Sequence, residues 1–432
     1  MVRILYNILF PLLTLPATPF WLLKTKKRGG LSNRLWEKLS IYDAESPAPT
    51  ADSPQPIYLH AASVGEANIA RKLITQWHHT HPERRFLLAV GTSTGFDLAK
   101  GSPPPATEVL YAPLDFPTTT RSFLARYRPA LIVLIEHEVW PNLMHHAHKQ
   151  GIPIALANAR LSPRSGKRLA KASKLLGFMY QKLAWVGAQT DADIPRLAAI
   201  GIEEKAIHAV GSIKFDPALS TPSASKLDPR AMLETMSEGK TKSPILMALS
   251  THSGEELIFA RAASRIPQAR IIIIPRHMER RAEIVQELNA AGYPCVLRST
   301  LDPQAPQIPK GSILIVDSTG EMPAFTALAD LTFIGKTLTA EGGQNPCEAI
   351  AAKVAVITGP HLENFEPLAT ELRAAKGLTT IRNEEKLAEA LTELLANQER
   401  TTQQIESALT VLGSHHQATD RTITALNPMV TP

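Results

Sequence analysis

The chain has 432 residues, 44% hydrophobic and 20% charged, a globular composition that excludes a disordered or fibrous protein and calls for about two domains. Its formal net charge of +6 favours anionic partners, but Lys and Arg are spread along the chain and only 6% of residues are aromatic, so no nucleic-acid partner is expected. The two cysteines, Cys295 and Cys347, supply neither a disulfide framework nor zinc spacing, which suits a reducing compartment.

From Ile4 to Leu23 the chain is almost wholly apolar, and Lys24, Lys26, Lys27 and Arg28 come directly after it. About 20 apolar residues are enough for a spanning helix, and the basic flank keeps the downstream chain in the cytoplasm. The weight of positive charge lies after the apolar run instead of before it, which argues against a cleaved signal peptide. Pro11, Pro16 and Pro19 interrupt a straight span. Residues 1–28 therefore read as an anchor that crosses the bilayer or lies in its interface, with an apolar helix packed on the soluble body as the third reading.

Short apolar runs then alternate with helical patterns, which predicts a parallel α/β architecture. The first series includes Ile57–Ala61, Phe86–Val90, Leu131–Ile135, Ile152–Ala157 and Trp185–Gly187. A second includes Ile245–Ala248, Ile271–Ile274, Ile313–Val316, Leu331–Ile334 and Val354–Ile357. A stretch rich in Pro, Ser and charge separates them. The expected domains are residues 29–216 and 244–405, both Rossmann-like, joined by a linker at 217–243. A helix and tail at 406–432 complete the chain, with the end from Asn427 frayed.

In a doubly wound parallel sheet, ligands bind beyond the carboxyl ends of the strands. Those ends carry polar, glycine-rich clusters here, among them His60–Glu66, Gly91–Gly95, Glu136–Glu138 and Asn158–Arg160. The second half offers Ser250–Glu256, Pro275–His277, Asp317–Glu321 and Gly342–Glu348. Two Rossmann-like domains presenting such loops to one cleft make the GT-B arrangement, which some epimerases and phosphorylases share, so the fold alone does not choose a reaction.

Glu66 ends a Ser-Val-Gly-Glu turn where a helix should begin, a position that stabilises a carboxylate and makes it available as a base. A simple helix N-terminal charge is the competing reading. If the strand before it continues, Glu136 and Glu138 share a face and recruit a cation, for which Lys214 is a candidate; a structural ion pair is the alternative. In the second half, Arg276 comes after a long apolar strand and offers a planar fork to a phosphate. Gly342 and Gly343 allow close backbone approach, and Asn345 and Pro346 start a helix whose N-terminus would face an anion, with Glu348 one turn in. Gly320, Glu321 and Met322 come after another strand and are expected to line a nucleoside pocket, although the Gly-Gly segment is also an ordinary turn. None of the loop histidines has the spacing of a metal site. Arg160, Arg164, Lys167, Arg168, Lys171 and Lys174 form a basic stretch, either a solvated face or a contact for acidic headgroups or acceptor phosphates.

Ten segments in this order resemble a known family: HAASVGE (60–66), GTSTG (91–95), YAPLDFP (111–117), EHEVWPNL (136–143), NARLS (158–162), GSIKFD (211–216), STHSGEE (250–256), PRHMER (275–280), GGQNPCEA (342–349) and GPHLENF (359–365). From the anchor to about Phe365 the chain resembles the 3-deoxy-D-manno-octulosonic acid (Kdo) transferases of lipopolysaccharide synthesis. It departs from their usual pattern at His137, where they have Thr, at Lys336, where they have a second glycine, and at Gln344, where they have His. The resemblance implies inverting transfer of Kdo from CMP-Kdo to a lipid A precursor (lipid IVA), releasing CMP, at the cytoplasmic face of the inner membrane, without metal or other cofactor. It implies Glu66 as general base, Glu138 and Lys214 as positioning and transition-state groups, and Pro275, Arg276, Gly320, Glu321, Met322, Asn345, Pro346, Cys347 and Glu348 as the CMP site. Another GT-B nucleotide-sugar transferase or an epimerase, and a catalytically inactive membrane-bound scaffold, are the alternatives.

Overall fold

Runs such as Leu-Ile-Val-Leu-Ile at 131–135 and Ile-Ile-Ile-Ile at 271–274 are too apolar for a strand with one wet face, and both become interior strands of sheets covered on both sides. The structure, a computed structural model, describes residues 3–12, 14, 16, 33–42, 54–216, 229–236, 243–302 and 307–430. The chain divides into two compact units, Met1–Asp216 with Gln417–Pro432, and Pro217–His416.

The first unit is built on a seven-stranded parallel sheet in the order β3-β2-β1-β4-β5-β6-β7. Its strands are β1 (Ile57–Ala61), β2 (Phe86–Val90), β3 (Thr107–Tyr111), β4 (Leu131–Ile135), β5 (Ile154–Ala159), β6 (Trp185–Ala188) and β7 (Ile207–Ala209). The second unit repeats the plan, in the order β10-β11-β9-β8-β12-β13-β14. These strands are β8 (Ile245–Thr251), β9 (Arg270–Pro275), β10 (Cys295–Leu297), β11 (Ile313–Ile315), β12 (Leu331–Ile334), β13 (Ala355–Thr358) and β14 (Thr379–Thr380). In the first sheet the chain winds outward from β1 to β3, then returns to the centre and winds the other way; in the second it passes from β9 to the edge strand β10, fills the gap with β11, and then returns to β12 and winds the other way. The reversal leaves a crevice beyond the carboxyl ends of β1 and β4, and of β8 and β12.

The C-terminal segment rejoins the first unit. The Asp216 carboxylate accepts the backbone N–H groups of Gln417 (3.0 Å) and Thr419 (2.9 Å), so the point where the chain leaves the unit also starts the returning helix Ala418–Leu426. The expected fraying from Asn427 does not hold for residues 427–430, where the Asn427 side-chain oxygen accepts from Trp77 and Arg84 and Val430 is buried; Thr431 and Pro432 lie outside the described residues. Residues 217–228 and 237–242 of the expected linker lie outside the described residues, and a short helix, Pro229–Glu234, lies between them.

At the N-terminus, residues 3–12 are helical, whereas Lys24, Lys26, Lys27 and Arg28 lie outside the described residues. The helix docks through Tyr6, Asn7 and Phe10 and leaves Ile4, Leu5, Ile8, Leu9 and Leu12 exposed as one stripe. Among the described residues, no helix is long and apolar enough to cross a membrane. A 3-10 helix, Asn33–Leu39, lies along the open edge of β3, where Glu37 accepts the Tyr111 N–H (2.9 Å) and Arg34 donates to the Val109 carbonyl (3.2 Å).

Candidate active site

The crevice of the first unit is framed by the turn after β1 and the turn after β4. Ser63 caps the helix Val64–Thr80, its hydroxyl accepting the Glu66 N–H, and the Glu66 carboxylate reaches back to the Ala62 N–H (2.6 Å) and the Ser63 hydroxyl (2.9 Å). This is a variant of the reciprocal capping box. It fixes the half-buried carboxylate at the mouth of the crevice.

The turn after β4 departs from the expected strand alternation. Glu136 has φ +60°, so the strand ends at Ile135 and a turn, not the pleat, brings the next carboxylates round. Glu66, Glu136 and Glu138 nevertheless meet. Burial and the Glu66 charge raise the pKa of Glu136, and the same two causes push Glu138 up to about 7. Lys214, in the 3-10 helix Ile213–Phe215, acts on Glu136 and offsets part of that rise. His137 is exposed at the turn, where partial desolvation by its neighbours and the Arg160 charge lower its pKa.

Glu138 is held by Trp140 and flanked by His60. The Trp140 indole N–H donates to Oε2 (2.8 Å), and the buried His60 Nε2 lies 3.7 Å from the same oxygen. That approach is not an ion pair near neutrality, because burial pulls the His60 pKa down to about 4. The ring is fixed by the fully buried Tyr58, whose hydroxyl lies 2.6 Å from Nδ1.

Three supporting residues lie in segments the sequence marks, but their roles are not legible there. Asn158, next to last in β5, has a left-handed conformation (φ +58°), which Asn tolerates better than most residues. Its side-chain oxygen accepts the Ile213 N–H (3.0 Å) and the Ser212 hydroxyl (3.2 Å), and its amide approaches Glu136 at 3.4 Å. It thus ties the Lys214 segment to the Glu136 turn. Asp115 accepts the Asn142 and Leu143 N–H groups (both 2.9 Å) at the start of the helix Pro141–Lys149, and burial raises its pKa to about 6. Trp140 opens the same helix, and its ring lies 6.4 Å from that of Phe10. The hints were an Asn near the end of an apolar strand, an Asp in Leu-Asp-Phe-Pro and a helix-opening Trp-Pro-Asn.

In the second unit the corresponding crevice is organised by Glu255. This fully buried carboxylate accepts the N–H groups of His252 (3.0 Å), Lys336 (2.5 Å), Leu338 (3.1 Å) and Thr339 (3.3 Å), joining the turns after β8 and β12. Pro275 ends β9 opposite Thr251, and Arg276 comes next, exposed, with its N–H on the Thr251 carbonyl (3.1 Å). Beyond β11, Gly320 has φ +84°, Glu321 is engaged by Arg298 (3.2 Å) and the Ser318 hydroxyl, and Met322 opens the helix Met322–Thr326. Beyond β12, Gly342 (φ +99°) and Gly343 (φ +65°) make a left-handed turn that Glu363 holds through the Gly342 N–H (2.6 Å). The Asn345 side-chain oxygen accepts the Cys347 N–H (3.0 Å), Pro346 caps the five-residue helix Cys347–Ala351, and Glu348 lies half-buried in its first turn. Among the described residues, no group of three or more His, Cys, Asp or Glu could hold a metal ion.

Residues 33–217 match the family described as 3-deoxy-D-manno-octulosonic-acid transferase (kdotransferase). The chain is 34% identical over 438 residues to the 3-deoxy-D-manno-octulosonic acid transferase of Bordetella pertussis, covering 95% of this chain and 96% of that one. It is 30% identical to the enzyme of the same name from Haemophilus influenzae over 91% of both chains. Among solved structures it is similar to the UDP-GlcNAc 2-epimerase of Neisseria meningitidis, with a TM-score of 0.54 at 13% identity over 86% of this chain and all of that one, a likeness of fold alone. The architecture is thus two parallel-sheet α/β domains resembling GT-B glycosyltransferases. With identity of this order along nearly its whole length, the chain belongs to the 3-deoxy-D-manno-octulosonic acid transferase family and is a glycosyltransferase.

Proposed function

We propose that this protein transfers Kdo with inversion from CMP-Kdo to a lipid A precursor of the lipid IVA type, using no metal. The observation that carries the reading is the Glu66 carboxylate, fixed at the mouth of the first unit's crevice and close enough to Glu136 and Glu138 to raise both their pKa values. In this mechanism Glu66 takes the proton of an acceptor hydroxyl as its oxygen bonds to the donor's C2. The C2–O bond to phosphate breaks, and CMP departs with the bonding pair. Lys214 offers positive charge near the reacting groups as charge develops on the leaving phosphate. Glu138, with a pKa near neutrality and held by Trp140, orients the acceptor. Pro275, Arg276, Gly320–Met322 and Asn345–Glu348 hold the nucleotide in the second unit.

The exposed stripe Ile4, Leu5, Ile8, Leu9 and Leu12 supports an interfacial attachment at the cytoplasmic face of the inner membrane. So does the helix Pro163–Lys171, with Arg164, Lys167, Arg168 and Lys171 exposed and Leu175 and Phe178 exposed just after it. Replacing Leu5 and Leu9 by Asp should abolish flotation with anionic liposomes while leaving the fold intact; flotation equal to the wild type would contradict attachment through this stripe. The test of the reaction is the full chain with CMP-Kdo and tetraacylated lipid acceptor, with release of CMP monitored and the product's anomeric configuration read by NMR. Acceptor-dependent CMP release and an inverted product are expected. Turnover of a different nucleotide sugar in its place would sink the assignment.

A further inference from the structure

Lys336 stands where β12 ends, in a left-handed backbone conformation (φ +54°) that a lysine adopts only at some cost. The surroundings enforce it: Glu255 holds the Lys336 N–H at 2.5 Å and also takes the N–H groups of Leu338 and Thr339. Glycine would satisfy that backbone without strain, so the presence of a long cationic side chain needs a reason. The ammonium reaches over the Gly342–Gly343 turn, where a Cβ built on Gly342 would lie 3.6 Å from Nζ. Lys336 is half-buried, and among the described residues its ammonium has no hydrogen bond or ion pair. Glu363, the acid that holds this turn, already receives the Gly342 N–H and His361. An unpaired ammonium directed over a glycine turn at the sheet's reversal point suits an incoming phosphate.

We propose that the Lys336 ammonium binds the phosphate of the nucleotide held by the second unit, adding a cation to that site. The proposal rests on the reading of this unit as the CMP site.

The strained backbone supplies a clean test, because Lys336→Gly removes the cation while relaxing the conformation. Calorimetric titration of the full chain with CMP and with cytidine should be compared for wild type, Lys336→Gly and Lys336→Arg. The expected result is a thermal midpoint for Lys336→Gly at or above wild type, CMP affinity lowered roughly tenfold or more, and cytidine affinity unchanged. Lys336→Arg should recover CMP binding to within a few fold. Equal CMP affinity in wild type and Lys336→Gly overturns the proposal, as does an equal loss for CMP and cytidine, which would trace the effect to loop shape. Loss of free Kdo binding with CMP binding intact would move the cation to the sugar carboxylate and also overturn it. A wild type that binds no CMP would instead sink the nucleotide reading of the second unit.

Discussion

Glu138 is buried beside Glu66 and Glu136, so its ionisation works against the fold. A carboxyl raised to about 7 in the folded state binds more protons there than in the unfolded chain, so its contribution to stability falls as pH rises from about 4.5 to 7. Glu138→Gln should therefore gain on the wild type by on the order of 1–3 kcal/mol at pH 8, and much less at pH 5. Thermal midpoints at the two pH values check this; a gain independent of pH would contradict it. Asn158→Ala leaves the buried Ile213 N–H and Ser212 hydroxyl without this acceptor, costing about 1–3 kcal/mol. Because Asn158 positions Glu136 and the Lys214 segment, the substitution should also lower kcat while CMP affinity stays at the wild-type value. Calorimetry with steady-state kinetics separates that from general damage, which would lower both. At this scale Glu66 was legible, since Ser-Val-Gly-Glu after an apolar run states both the cap and the carboxylate. The grouping of Glu136 and Glu138 was expected for the wrong reason, because nothing in Glu-His-Glu announces φ +60° at its first residue. Asn158 was invisible as a tie because its partners lie more than fifty residues ahead in the chain.

The interior strands were legible because burial on both faces demands continuous apolar runs. Four strands went unnamed, β3, β7, β10 and β14, and all four are sheet edges. An edge strand packs against one neighbour only, so it needs less apolar sequence: β3 is Thr-Glu-Val-Leu-Tyr, and β14 has two threonines. The N-terminal segment reads as an anchor, with packing on the soluble body as the third alternative, but the sequence does not reveal which residues it packs against. Phe10 packs tilted against Phe116 (5.4 Å) and edge-on to Trp140, Asn7 accepts from Asn142 (2.7 Å), and the Tyr6 hydroxyl lies beside Asp115. The helix therefore braces the residue that holds Glu138. Phe10→Ala should lower acceptor-dependent turnover several-fold with CMP affinity and liposome flotation unchanged. Full activity in this variant would show that the helix serves attachment alone.

For the molecule as a whole, the two-fold repetition of parallel α/β units was readable from the alternation of apolar runs with helical patterns. The return of the chain to its first unit was not. That return depends on Asp216 capping Gln417 and Thr419, about two hundred residues apart in sequence. The two units also repeat one device: a glutamate opening the helix after the first strand of the sheet, Glu66 in one and Glu255 in the other. They differ in what surrounds it. Glu255 is closed off by four backbone N–H groups and is structural, whereas Glu66 is half-buried at the crevice mouth with like charges facing it. The central claim is that Glu66 is the base of the transfer. The most direct measurement is single-turnover CMP release from CMP-Kdo in the presence of lipid acceptor, comparing the wild type with Glu66→Gln, which retains an acceptor for the helix cap. A loss of about 10²- to 10⁴-fold in rate, with CMP affinity and thermal midpoint near the wild type, is the predicted result. A Glu66→Gln enzyme turning over within a few fold of the wild type would contradict it.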